Sequence, residues 1–383
     1  MVMIEAIFWM SLALLVYTYA GYPVLAWVWA TLRPRPSTTG AIEPTVTVLV
    51  VAYNEAPRIG PRIENLLALD YPPERLEIVV ASDGSTDGTA ERARAYASRG
   101  VRVIAFEDRR GKPSVLNDLL PKARGEVVVL ADARQTFEPG AVRALVACFA
   151  DPRVGAVTGD LVLRRRDDGG VVGDAVGLYW RYEKFIRRSE SRAESVAGVT
   201  GAIYAVRREL FEPVAADTIL DDVLIPLRIA RRGYRVLLEP GARAHDRAPA
   251  TAREEFTRKA RTMAGKFQMF ARERWLLSPF ANRLWLATIS RNGLRLLVPF
   301  LLVSALGANL GLAGTPFYRV TLAAQLAFYG VALAGYAAGG ARRRLGLLSV
   351  PYVFCLLNAA IVVGLARFVS GRQQVTWDKA SGR

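Results

Sequence analysis

The residues able to do chemistry sit where short apolar runs end. Val46–Val51 runs into Ala52-Tyr53-Asn54-Glu55, Leu76–Ala81 into Ser82-Asp83-Gly84-Ser85-Thr86-Asp87-Gly88-Thr89, and Val127–Ala131 into Asp132-Ala133-Arg134. Carboxylates gathered on one rim repel one another and lose solvation unless a cation or polar ligand compensates them. Glu55, Asp83 and Asp132 therefore predict a ligand-binding edge, while Asp87 reads as a turn or helix cap. Lys112 stands beside Gly111 and after Arg109 and Arg110, where its ammonium can reach phosphate oxygens. Asp221-Asp222 opens a helical stretch running to about Arg232; adjacent acids there suit the helix dipole as caps. The one histidine of the chain makes a His-based triad or multi-His metal site a poor reading, and His245 reads as structural.

These residues need a scaffold. Between about Thr45 and Arg274, Val/Ile/Leu-rich strands alternate with amphipathic helices. Strands are predicted at Val46–Val51, Leu76–Ala81, Val101–Phe106, Val127–Ala131 and Val154–Leu163. Helices are predicted at Arg58–Leu69, Thr86–Ser98, Pro113–Lys122 and Pro139–Phe149. The first helix carries Ile59, Ile63, Leu66 and Leu67 on one stripe. Continuous apolar strands separated by helices predict an α/β fold with a mostly parallel, Rossmann-like sheet covered on both faces. Such sheets bind ligands at the carboxyl ends of their strands.

The ordered set Ala-Tyr-Asn-Glu, Asp-Gly-Ser-Thr-Asp-Gly-Thr, Gly111-Lys112 with Asn117, then Asp132 resembles family 2 glycosyltransferases of the GT-A fold. The flanking apolar segments resemble the membrane branch containing cellulose, hyaluronan, chitin and poly-N-acetylglucosamine synthases. The resemblance implies that Ala52, Tyr53 and Glu55 line the nucleotide pocket. By the same likeness Asp83 hydrogen-bonds base or ribose, and Lys112 approaches the diphosphate. Asp132 matches the first carboxylate of Asp-x-Asp, which helps hold the ribose and a divalent cation, Mg²⁺ or Mn²⁺. Arg134 replaces the second acid and cannot ligate a metal, so it either leaves Asp132 and the diphosphate to hold the ion or partly replaces it. The stretch Gly198–Arg208, read as a strand, resembles the acceptor-site floor, with Gly201 and Ala202 admitting a sugar ring. Asp221-Asp222 matches the pair whose second member is the catalytic base, giving Asp222 that role. Arg258-Lys259-Ala260-Arg261-Thr262 matches Gln-x-x-Arg-Trp. Arg258 and Arg261 then face acceptor and diphosphate, and Thr262 in place of Trp argues against a long-chain processive enzyme.

Of 383 residues, 52% are hydrophobic, more than an ordinary soluble enzyme carries. Ile4–Leu32 is long enough to span a bilayer and reads as a retained N-terminal anchor, not a cleaved leader. Further spans are predicted at about Leu294–Leu312, Tyr318–Ala338 and Leu345–Ala366. Organised by domain, residues 1–36 form a transmembrane helix and basic linker, 37–274 the GT-A domain, 275–293 an interfacial amphipathic helix, 294–369 about three membrane helices and 370–383 a basic tail. From Trp275 to Trp377 there is no Asp or Glu but nine Arg, which accounts for more than half of the net charge of +16. That distribution suits anionic headgroups and excludes nucleic acid as the main reading. Arg33-Pro34-Arg35-Pro36 places the catalytic domain in the cytosol of a multi-pass inner-membrane protein. One N-terminal and three C-terminal spans put the tail on the outer face, whereas its basic residues Arg367, Arg372, Lys379 and Arg383 favour the inside; either the tail violates the charge bias or one candidate span is only embedded in the interface. Cys148 and Cys355 read as free thiols.

The reading is inverting transfer of a sugar from a nucleotide-sugar, a UDP-sugar by the resemblance, to a polysaccharide or lipid-linked acceptor. The alternatives are a processive polysaccharide synthase and a non-catalytic nucleotide-sugar-binding membrane subunit. Partners are the donor, the acceptor glycan or lipid, the bilayer, and export or assembly proteins. The apolar C-terminal segments lack the acids an ion-coupled transporter needs.

Overall fold

The computed structural model describes residues 1–164, 172–247, 251–338, 349–374 and 376. Eight strands form one mixed sheet: β1 Val46–Ala52, β2 Leu76–Asp83, β3 Val101–Phe106, β4 Val127–Asp132, β5 Thr136–Phe137, β6 Val154–Arg164, β7 Ile203–Arg207 and β8 Arg235–Arg247, in the order β3-β2-β1-β4-β7-β6-β8-β5. The first four spatial neighbours run parallel, β7 is antiparallel to both β4 and β6, and β6 pairs parallel with β8.

Connecting helices are α2 Ala56–Leu67, α3 Thr89–Arg94, α4 Lys112–Leu119, α5 Ala141–Ala147, α6 Val172–Ala193, α7 Asp221–Arg231 and α8 Ala252–Arg272. They follow α1, Val2–Leu32, which precedes the sheet. β1 shows how the sequence builds the two-sided core. Val48 and Val50 pack with Ile59, Ile63 and Leu66 of α2, while Leu49 faces Val115, Leu116 and Leu119 of α4. Successive strand side chains point to opposite faces, so a run of apolar residues needs a helix on each side.

Four helices among the described residues are long and apolar enough to cross a membrane: α1, then α9 Trp285–Gly311, α10 Pro316–Ala337 and α11 Val350–Val369. Trp9, Val303, Val320, Leu333 and Val362 point outward from them, as lipid-facing residues do. The expected separate interfacial helix over 275–293 is absent. Arg274–Leu277 is one short 3₁₀ turn, and from Trp285 the helix continues into the span, with a π-turn at Ile289–Gly293. The cause is burial: Leu276 and Leu284 enter the α/β domain's own core, and Asn282 caps the turn from within it. The Arg342–Arg344 group, residues 345–348 of the last expected span, and Lys379 and Arg383 of the expected tail lie outside the described residues. Cys148 and Cys355 are both free.

Candidate active site

Strand register gathers the acids. Ala52 pairs with Ser82 and Val51 with Asp132, so β1, β2 and β4 end at one edge. The turn after β1 is pinned to the turn after β2. Asn54, at φ 52°, accepts from the Thr86 amide at 2.8 Å, and the Glu55 amide donates to Thr89 Oγ1 at 2.8 Å. Asp87 takes the Thr89 amide at 3.1 Å and the Ala56 amide at 3.1 Å, a capping duty for two helices. Its cap starts α3 at Thr89, later than the periodicity suggests.

Asp83 is buried and accepts from the amides of Arg110 at 2.7 Å and Gly111 at 2.8 Å. It thereby fixes the loop that launches Lys112. The Lys112 ammonium donates to Asp132 Oδ1 at 3.0 Å. Desolvation would lift the Asp132 carboxyl, but Lys112 and Arg134 outweigh it and hold it below the usual carboxylate range. Arg109 lies over the Tyr53 ring, 3.7 Å from its centroid, forming one flat wall beside this loop.

On the other side of β4, α7 presents Asp221 and Asp222. The amide of Gly201 donates to Asp222 Oδ2 at 3.0 Å. Residues 198–202 are consequently not part of a strand. The Thr200 amide goes to Thr158 Oγ1 and the Gly201 amide to Asp222, so neither can join a ladder, and β7 starts only at Ile203. A Cβ at position 201 would come within 2.7 Å of Asp222 Oδ2, so any side chain there displaces that carboxylate. Ala202 is buried directly after it.

Burial, then the neighbouring Asp221, push Asp222 up to about 6; Asp132 adds to the rise, and Lys112 and Arg261 oppose it. Asp221 is also raised, chiefly by burial. Arg261 on α8 feels Asp221, Asp222 and Asp132 together, and burial lowers its guanidinium. Asp132, Asp221, Asp222, Lys112 and Arg261 thus form one electrostatic cluster. Arg258 is instead engaged by Glu255 one turn earlier on α8. Glu55 pairs with Arg58 at 2.9 Å and lies within electrostatic reach of Arg134.

Three contributors escaped the sequence reading. Tyr204 on β7 is fully buried, with its hydroxyl amid Asp221, Asp222 and Asp132. Arg62 sits on the apolar stripe of α2, 2% exposed, its guanidinium 4.0 Å from the Phe137 centroid; burial lowers it to about 9 despite Asp132. A lone charge on that stripe was the available signal. Asp246 accepts from Arg134 Nε and Gln135 Nε2, each at 3.0 Å. The cation in the second Asp position is therefore tied back to the sheet edge. His245 meets Glu138 at 2.9 Å, and Asn117 clamps the backbone of Val214; both are structural.

Among the described residues no group of three His, Cys, Asp or Glu could by itself hold a metal ion. Asp132 can contribute one oxygen, which is compatible with a cation bound jointly with phosphate oxygens and water.

α8 rests on α11, one of the helices long and apolar enough to cross a membrane. A Cβ at Gly364 would come within 2.7 Å of Met263 Cβ and 2.9 Å of the Ala260 carbonyl, so the face of α8 next to Arg261 is pressed against the apolar bundle.

Comparison with known proteins agrees with this geometry. The poly-β-1,6-N-acetyl-D-glucosamine synthase of Staphylococcus aureus is 28% identical over 234 residues, covering 60% of this chain and 56% of the relative. The synthase of the same name from Staphylococcus epidermidis is 25% identical over 236 residues with the same coverage. The chain thus matches a little over half the length of these relatives. The mannosyltransferase PcManGT from Pyrobaculum calidifontis, solved with GDP-Man and Mn²⁺, superposes with a TM-score of 0.73 at 26% identity, covering 96% of this chain and 99% of that one. The profile described as "Glycosyltransferase like family 2" matches residues 44–265, more than half of the chain. The chain belongs to family 2 of the glycosyltransferases, with a GT-A fold.

Proposed function

We propose that the protein transfers a hexose, with inversion, from a nucleotide-sugar to a polysaccharide or lipid-linked acceptor at the cytosolic face of the inner membrane. The carrying observation is Asp222: a carboxylate held by the Gly201 amide, pushed up to about 6, and within electrostatic reach of Lys112, Arg261 and Asp132. A base with that value is ionised at neutral pH yet still accepts a proton readily. Asp222 takes the proton of the acceptor hydroxyl while the acceptor oxygen bonds to the anomeric carbon. The bond from that carbon to the diphosphate oxygen breaks, and its electron pair leaves with the diphosphate. Lys112 and Arg261 balance the charge that develops there. One displacement from the opposite face inverts the centre.

Asp132 would hold a divalent cation together with the diphosphate, supplying charge neutralisation to the leaving group; the Mn²⁺ in the mannosyltransferase supports this reading. The packing of α8 on α11 supports an acceptor site at the membrane boundary. Arg33 and Arg35 directly after α1 support a cytosolic domain. For the nucleotide, the resemblance favours UDP, while the mannosyltransferase matched over nearly its whole length carries GDP-Man. A donor screen of UDP- and GDP-sugars with the purified full chain in detergent decides between them. In the same assay Asp222→Asn should abolish turnover and keep nucleotide binding. Retained turnover would overturn the assignment of the base.

A further inference from the structure

Away from the catalytic rim, four arginines, Arg35, Arg153, Arg235 and Arg283, surround a cavity of about 600 Å³ that Ser37 and Thr38 also line. The sheet topology separates it from the active site. Arg153 immediately precedes β6 and Arg235 opens β8. Those two strands run parallel to each other, and β6 is related to β4 through the antiparallel β7, so all three point the same way. The arginines therefore mark the amino-terminal edge of the sheet, whereas Asp132 and its neighbours mark the carboxyl-terminal edge.

The charges there do not balance. Glu194 serves two cations, at 3.6 Å from Arg35 and 2.5 Å from Arg283. Asp151 is taken by Arg153 at 2.7 Å. Arg235, 5% exposed, has only carbonyls for partners among the described residues: Glu194 at 2.9 Å, Ser191 at 3.1 Å and Pro36 at 3.4 Å. Burial and then the like charge of Arg153 lower its guanidinium. The cavity lining carries four guanidiniums and no carboxylate, and the two acids nearby, Glu194 and Asp151, are already engaged, so the cavity presents a net positive wall that an anion complements. Guanidinium forks match phosphate oxygens in pairs, and the hydroxyls of Ser37 and Thr38 add further donors.

Its position relative to the bilayer follows from the chain. Residues 34–38 leave α1, which ends at Leu32, and Arg283 lies two residues before α9 begins at Trp285. Two candidate spans thus emerge at this cavity. We propose that it binds a phosphate-bearing anion at headgroup level, either the headgroup of an anionic phospholipid or a soluble phosphate compound.

The experiment uses the full chain and Arg35→Gln/Arg153→Gln, whose side chains are 62% and 65% exposed in the wild type, so folding should survive. Donor turnover in detergent serves as the folding control and should be unchanged. Native mass spectrometry compares retention of phosphatidylglycerol with that of phosphatidylcholine, and calorimetry titrates inorganic pyrophosphate into each protein and into Lys112→Ala. Retention of phosphatidylglycerol that falls about tenfold in the double variant supports the site and assigns it to lipid. A pyrophosphate site that survives Lys112→Ala but weakens about tenfold in the double variant supports it and assigns it to a soluble ligand. Equal binding of both anions by wild type and double variant overturns the proposal. Arg235→Lys adds a check at the buried position: it keeps the charge and loses the fork, so unchanged anion binding in this variant also counts against the arginine pocket.

Discussion

At the junction of α6 with the membrane helix α9, Glu183 and Glu190 meet arginine on every side. Arg291 donates to Glu190 at 2.7 Å and to Glu183 at 3.1 Å, Arg295 also reaches Glu183, and the Tyr22 hydroxyl of α1 donates to Glu190 at 2.7 Å. At the acidic rim, Asp221 is buried and Asp222 half-buried with the same kinds of neighbour, yet their carboxyls rise where Glu183 falls. Burial alone would lift Glu183, but Arg295 and Arg291 outweigh it and take it well below the usual range. At the rim, burial and acid-acid repulsion win, because Lys112 is spent mainly on Asp132. Like materials thus give a clamp in one place and carboxyls with raised proton affinity in the other. The deciding quantity is whether each carboxylate has its own cation.

The comparison can be broken most severely at its two centres. Asp222→Asn should lower kcat by about 10²–10⁴-fold, the range for loss of a positioned base, with nucleotide affinity and thermal stability intact. Glu183→Gln should do the reverse. It leaves buried arginine charge uncompensated and should cost about 3–5 kcal/mol of stability, read from denaturant unfolding in detergent, with the rate per folded molecule preserved. Gly201→Ala comes next. Its methyl would press on Asp222 Oδ2 and shift the base, so kcat should fall on the order of 10²-fold with little change in stability. The smallest effect sharpens the contrast by pH. Asp222 must be ionised to act, so kcat should fall as pH drops through about 6, by about tenfold per unit below that value. The Glu183 carboxyl is shifted the other way, so its stabilisation, present above the ordinary Glu value of about 4.3, is lost on acidification too, but only as pH falls further toward its lowered value. Activity should therefore vanish reversibly before the fold does, checked by rate and unfolding measurements on the same samples.

The catalytic rim was legible because its residues lie at the ends of apolar runs whose length marks them as strands. Glu55, Asp83 and Asp132 could be picked out this way, the four apolar helices by the length of their apolar runs, and Asp222 only by the family resemblance, since at a helix start it reads locally as a cap. Less legible were contributions from distant segments. Arg62 and Asp132, or Arg134 and Asp246, are neighbours only because α2 and β8 flank β4 and β5 in space. The stretch 198–202 has the composition of a strand and is a loop because its amides bond to side chains of β6 and α7. Trp275–Leu284 has the composition of an interfacial helix, yet Leu276 and Leu284 find places in the domain core.

From its order of residues alone this chain determines an α/β domain between apolar helices and an acidic edge where three strands end. Periodicity, run length and strand-end chemistry are local properties, and local properties survive in one dimension. Tertiary structure decided which acid would be neutralised and which left proton-hungry, and which apolar segment would meet protein instead of lipid. Those outcomes depend on distance and burial between groups separated by tens to hundreds of residues, and Coulomb energy and desolvation take definite values only when those groups are placed.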